Sequence, residues 1–398
     1  MGAARAALGQ PHLPLKPEGG ADTLRARNLS ALSAVDATRW DALFPAQDPF
    51  VRHAFLSALE RNRCVGGDTG WTPHHLILEN AAGELAAAAP LYAKDHSYGE
   101  FVFDFTWARA SHELGQPYYP KLLCAVPFSP VTGPRLGARD EAGRVALART
   151  LARLPESEAR SSLHVLFNDE TSAAALCAAQ LLERNDLQYH WRNDGYESFD
   201  AFLARLTHDK RKKIQRERRR VAEAGLHFET RTGAELSESQ WADVYALYAN
   251  TYEERGQPPY LNLAFFLDYG RTPGTPLRLI LCLDGSRLVA VAITLVWQGT
   301  LYGRHWGCAE RHHSLHFETC YYRGIDLCIR EGLMRFDAGA QGSHKRARGF
   351  EPVTTRSFHR LADPRLHAAV ENFLRRERAA VDAAREDLLE AHSAYRHG

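Results

Sequence analysis

Three stretches in the second half of the chain gather side chains able to move protons and hold anions. Arg304-His305-Trp306-Gly307 ends an expected strand, and Leu315 to Tyr322, read LHFETCYY, opens an expected helix. On that helix Glu318, Tyr322, Ile325 and Ile329 fall on one stripe. A first-turn carboxylate with apolar and aromatic next-turn neighbours has a raised pKa and suits proton removal from an ammonium. A first-turn glutamate is equally a routine helix stabiliser. His316 offers a second proton acceptor. His316-x-Glu318 also opens like a zinc deaminase signature, but no Pro-Cys-x-x-Cys follows, and no metal site is expected.

The loop from Ala338 to Phe350 follows an expected strand end. Gly339, Gly342 and Gly349 free backbone amides there, beside Gln341, His344, Lys345 and Arg348. Such a loop holds a phosphate or a developing oxyanion, with Lys345 as the charge, unless it is a plain surface turn. Its spacing is not that of a Walker A loop. In Thr251 to Leu261, Arg255 precedes a helix-ending Gly256, and Pro258-Pro259 stiffens the segment bearing Tyr260. That is either a binding rim or a helix stop.

A basic helix is expected across residues 205–224. Nine cations (Arg205, Lys210, Arg211, Lys212, Lys213, Arg216, Arg218, Arg219, Arg220) face two acids, Asp209 and Glu217. Leu206, Ile214 and Val221 make a thin docking stripe, and Thr207 or Asp209 would cap the helix. Lys210, Arg211 and Lys213 are its candidate phosphate contacts. In the first half, Asp104, Lys121 and Arg135 stand out among aromatics and prolines.

These residues need strands and helices to carry them. The first half reads as a hairpin (His75–Glu79, Leu85–Tyr92), strands at Glu100–Phe105, Leu122–Val126, Leu163–Phe167 and Gln188–Trp191, and helices at Glu141–Leu154 and Ser172–Arg184. The second half replays this order: hairpin Leu277–Leu283 and Leu288–Trp297, strand Thr300–Trp306, helix Leu315–Gly332, strands Arg335–Ala338 and Thr354–Arg360, helix Ala369–Ala391. Leu76, Ile77, Leu78, Leu85, Ala87 and Ala89 recur as Leu279, Ile280, Leu281, Leu288, Ala290 and Ala292, all 203 positions on. Two copies of one mixed α/β fold follow: a tail over 1–28, one copy over 29–192 and another over 193–398.

Length and composition agree. The 398 residues suit two domains, and 49 Lys+Arg nearly cancel 48 Asp+Glu, so phosphate binding has to be local. Seven scattered cysteines without CxxC spacing read as reduced thiols, and with no transmembrane run or secretory signal a cytoplasmic protein is expected.

From about Phe50 to Glu377 the chain resembles the bacterial FemAB-like N-acyltransferases, labelled peptidoglycan biosynthesis or recognition proteins. RHWGCAERHHSLHFETCYY from Arg304, GAQGSHKRARGFEPV from Gly339, TYEERGQPPYL from Thr251 and YYPKLLCAVPFSPVTGPRL from Tyr118 carry the likeness. It implies tandem GNAT-like domains and acyl transfer onto an amine. Fem ligases take the acyl group from aminoacyl-tRNA and pass it to a peptidoglycan precursor. Their K-x-R-x-x-I segment looks like Lys210 to Ile214, with Lys and Arg displaced by one position. Acyl-CoA-using GNAT enzymes carry a glycine-rich loop before the central helix. Here Glu310 to Leu315 holds no glycine, which favours aminoacyl-tRNA over acyl-CoA as donor. No resident cofactor is expected. In this reading Glu318 or His316 takes the proton and Lys345, with amides near Gln341 and Gly342, holds the oxyanion. Arg304, His305, Trp306, Tyr260, Arg255, Tyr322, Gln341, His344, Arg348, Asp104 and Lys121 are the candidate substrate contacts. The rivals are an acyl-CoA-dependent enzyme and a non-catalytic module binding RNA or a cell-wall precursor.

Overall fold

The computed structural model describes residues 24–45, 48–310, 312–340, 342–390 and 393–396. Residues 1–23 of the expected tail lie outside them. The tail reading ends earlier than residue 28, because Arg25–Leu29 is a strand paired antiparallel with His75–Glu79.

Both hairpins form. Leu76 pairs with Ala89 in the first, and Leu279 with Ile293 in the second. The repeat of 203 positions would match Leu279 with Ala292, so the second copy has slipped by one residue. A slip of one turns the small residues of the second arm to the other face. Each hairpin also carries an irregularity near its turn, at Leu78/Glu79 and at Cys282/Leu283.

In each half a parallel pair follows. Leu122–Cys124 run alongside Leu163–Val165, and Thr300–Tyr302 alongside Arg335–Asp337. The strands that complete each half are exchanged. Leu182–Arg192, from the first half, pairs with Arg335–Asp337 of the second. Glu351–Leu361, from the second half, pairs with Ser162–Val165 of the first, and the two exchanged strands pair with each other. Among the described residues, eleven strands from both halves thereby form one sheet, beside a separate sheet of four.

The exchange explains a misread boundary. The helix expected to reach Arg184 stops at Ala178, since Leu182–Arg192 finds its partner 170 or so residues downstream. Glu100–Phe105 is not a strand. Glu100 and Asp104 both turn inward to the Lys121 ammonium, at 2.8 and 2.6 Å, and a helix starts at Phe105.

The helix expected over Leu315–Gly332 is interrupted. Leu315–Phe317 is α-helical, Glu318–Tyr322 forms a π turn, and Arg323–Glu331 resumes the α-helix. The basic helix runs His208–Glu223 and buries Ile214, Glu217 and Val221. Thr207 sits at its N-cap with no side-chain cap bond.

Because each half lacks a strand that only the other supplies, residues 24–192 and 193–398 expressed separately should each fail to give a cooperative unfolding transition. Co-expression should restore one, read by circular dichroism on the co-purified pair. A folded, monomeric first half would contradict the shared sheet.

Candidate functional site

Past Tyr302 and Asp337 the parallel pair comes apart. Gly303, His305 and Trp306 stay paired with the hairpin on one side, with Arg304 bulged out between them, but lose their partner on the other. Gly339, in the left-handed region at φ 79°, starts the divergence where a Cβ would come within 3.1 Å of the Gly303 carbonyl. A cleft of about 650 Å³ opens at this splay, lined from the second half by Gly303 to Trp306, Ala338 to Ala340 and Lys345, and from the first half by Ser97 to Gly99, Phe101, Phe103, Phe105 and Phe128.

Among the described residues, the corresponding place in the first half is filled by its own chain. Gly133 donates its N–H to the Phe167 carbonyl and accepts from Asp169 N–H. The buried Arg135 guanidinium donates to the carbonyls of Leu166, Val131 and Pro134. Arg135 and the proline-rich run around it are therefore a plug.

Eight candidate residues meet at the cleft: Arg255, Tyr260, Arg304, His305, Trp306, His316, His344 and Lys345. Gly342, at φ 106°, launches the short helix Ser343–Arg348 that turns Lys345 inward. Its ammonium donates to the Gly339 carbonyl at 2.6 Å, and burial pulls its pKa down to about 8. Burial, with the charges of His344, Arg348 and Lys345, pushes His316 down to about 4, so its ring is neutral at physiological pH. His305 is likewise depressed, to about 3, by burial and the Arg304 charge. Arg304 donates to the Phe128 carbonyl at 2.5 Å and so ties the two walls together.

Tyr321 and Cys320 also line the cleft, and the sequence reading passed over both. Tyr321 Oη lies 2.9 Å from His344 Nε2. The π turn is what aims Cys320 and Tyr321 inward, and no periodic pattern announces such a turn.

Glu318 is not brought to Lys345. The same π turn buries its carboxylate away from the cleft, between Arg323 at 2.8 Å and Arg218 at 3.3 Å. Burial raises its pKa while both guanidiniums pull it back. Tyr322 and Arg348 are also interior. Arg348 forks onto Glu217 at 2.8 and 3.0 Å, donates to Tyr322 Oη at 2.9 Å and stacks over Phe317. This clamp joins the basic helix to the turn carrying Lys345.

Asp104 and Lys121 sit beneath the cleft wall, not in it. Lys121 bonds Ser97, Glu100 and Asp104, and Asp104 accepts from Tyr118 at 2.7 Å. Burial opposes ionisation of Asp104, but Lys121 holds its carboxyl well below the usual range. Gln341 lies outside the described residues. Lys210, Arg211 and Lys213 make no ion pair within the described residues, and Lys213 is near enough to His344 for its charge to depress that ring.

Glu318→Gln should remove a buried charge from between two arginines and cost on the order of 3 kcal/mol of stability. Chemical denaturation checks this. Unchanged stability would show that the two pairs contribute nothing.

No curated protein matches the sequence. Among solved structures, the C-terminal domain (DUF2156) of a putative lysylphosphatidylglycerol synthetase from Agrobacterium fabrum superposes with a TM-score of 0.52 at 8% identity, over 86% of this chain and 96% of that one. FemX gives 0.49 at 12% identity, over 85% and 98%, and a tandem GNAT protein from the clavulanic acid biosynthesis pathway gives 0.43 at 12%, over 86% and 99%. The architecture is mixed α/β, with a hairpin followed by a parallel strand pair in each half. The FemAB-like family model, described as peptidoglycan biosynthesis/recognition, matches residues 31–397. By that match over nearly its whole length, the chain belongs to the FemAB-like family.

Proposed function

We propose that the protein is an N-acyltransferase that moves an acyl or aminoacyl group from a phosphate-bearing carrier onto an amine, with a peptidoglycan precursor as one acceptor consistent with the family. The observation that carries this reading is the Lys345 ammonium at the floor of the splayed strands, with a neutral His316 in the same cleft. The amine nitrogen attacks the carbonyl carbon and the C=O pair moves onto oxygen. The oxyanion forms beside Lys345, where a buried cation is worth far more than in water. Collapse expels the carrier oxygen or sulfur. The ammonium proton passes to His316 and from it to the leaving group. His316 makes no hydrogen bond within the described residues, so its ring nitrogens are free to accept.

An anion in the cleft would raise the His316 pKa toward neutrality, because the cations of Lys345 and Arg348 and the neighbouring His344 help depress it. The carrier's phosphates would meet Lys210, Arg211 and Lys213, the last of which is close to His344. Aminoacyl-tRNA is the donor that the sequence favours.

The deciding assay incubates the full chain with charged tRNA and acyl-CoA pools and looks for a new amide by mass spectrometry. An amide from the tRNA pool alone supports that donor, and one from acyl-CoA alone transfers the reading to a CoA-dependent enzyme. No amide from either, with salt-sensitive RNA binding, makes the protein a binding module. Lys345→Met should lower turnover about 10²- to 10³-fold with the fold intact. Because the Lys345 pKa is lowered, its charge is present below about 8 and lost above it, so turnover should fall as pH rises through that value. Lys345→Arg should move the fall to higher pH.

A further inference from the structure

Among the described residues, three of the most exposed large apolar side chains come from one short segment. Tyr98, Phe103 and Phe105 are 57%, 52% and 44% exposed, and all three line the cleft. Phe101, Phe128 and Tyr260 continue the surface inward. The rings pack in two sets, by centroid distance: Tyr98 to Phe105 at 5.9 Å and Phe103 to Phe105 at 6.1 Å in the outer one, Phe101 to Tyr260 at 6.5 Å in the inner one. A run of ring contacts then leads through Tyr252 and Tyr248 to His305. Contiguous exposed aromatics at the mouth of a cleft mark a surface that a ligand covers.

This trough is held in shape from beneath. The buried Lys121 bonds Ser97 Oγ, Glu100 and Asp104, at both ends and in the middle of the segment that carries the rings. Two hydroxyls beside the rings are already engaged. Ser97 Oγ also meets Tyr119 Oη, and the Tyr260 hydroxyl is paired with the Gly99 backbone. A flat base needs two faces about 7 Å apart to slide between, twice the contact distance of carbon. The near-parallel pairs here, Phe103/Phe105 at 6.1 Å and Phe128/Tyr260 at 4.8 Å, are closed to it.

Charge narrows the choice further. Arg255, Arg304 and Lys345 line the cleft, and no carboxylate does so among the described residues. An aminoacyl group would bring an α-ammonium with nothing to pair it. A plain acyl group would place its carbonyl at Lys345 and its carbons on the rings.

We propose that the transferred acyl group is a hydrocarbon chain, seated in the trough of Tyr98, Phe101, Phe103, Phe105, Phe128 and Tyr260. This rests on the acyl-transfer reading of the same cleft and departs from the aminoacyl group that the sequence favours, so an amide carrying an aminoacyl group from the charged-tRNA pool would overturn it.

Calorimetry of the full-length protein with n-alkanoates from butanoate to dodecanoate tests it. Affinity should rise about fourfold per added methylene until the trough is filled. Phe103→Ser with Phe105→Ser, both at exposed positions, should flatten that rise without unfolding the protein. Affinity independent of chain length, or a rise that the double variant keeps, would overturn the trough. n-Alkylamines of equal length should bind more weakly. Tighter binding of the amines would move the chain to the acceptor and overturn its assignment to the acyl group. If the alkanoate series holds while no donor yields an amide, the transfer reading fails and the trough stands. If amides form with no dependence on chain length, the trough fails and the transfer reading stands.

Discussion

The pairing of Leu182–Arg192 with Glu351–Leu361 is the constraint on which the cleft depends. Each strand is backed by the parallel pair of the opposite half, so the two halves are locked at a fixed angle by main-chain bonds along a single sheet. The cleft draws its floor from one half and its aromatic wall from the other. A site assembled across two units is only as rigid as their junction, and here the junction is continuous backbone pairing, not side-chain packing alone.

Around that junction, buried ion pairs act as local fastenings. Glu217 and Arg348 pin the basic helix to the turn carrying Lys345. Glu318 gathers Arg218 and Arg323 behind the π turn, and Lys121 gathers Glu100, Asp104 and Ser97 under the wall. Such pairs add little to stability against an apolar replacement of the same shape, but they are costly to break singly. Their value here lies in direction: each fixes the heading of a segment whose next side chains face the cleft.

Much of the fold was legible, and for a clear reason. The hairpins announce themselves through alternation and turn residues, which are local properties of the chain, and the glycines around Lys345 mark a close backbone approach. What escaped was non-local. Nothing within Leu182–Arg192 names its partner, so LLER read as helix. The π turn carries no periodic signature, so a regular helix groups Glu318 with Tyr322, Ile325 and Ile329 and does not show that Cys320 and Tyr321 face the cleft in its place. Asp104, Lys121, Tyr322 and Arg348 have the residue types of a reactive site, and composition does not distinguish a charge aimed at substrate from one buried against its opposite. His316, His344 and Lys345 do reach one cavity, because they flank the strand ends where a parallel sheet splays.

The exchanged strands also set an order of events on the ribosome. The edge at Ser162–Val165 stays bare until Glu351–Leu361 has been made, almost 200 residues later. At ordinary elongation rates that is roughly 10–40 s during which an apolar strand edge has no mate. Such an edge invites pairing with other nascent chains. A newly made chain of this kind has a long window in which holding chaperones matter more than its final stability does.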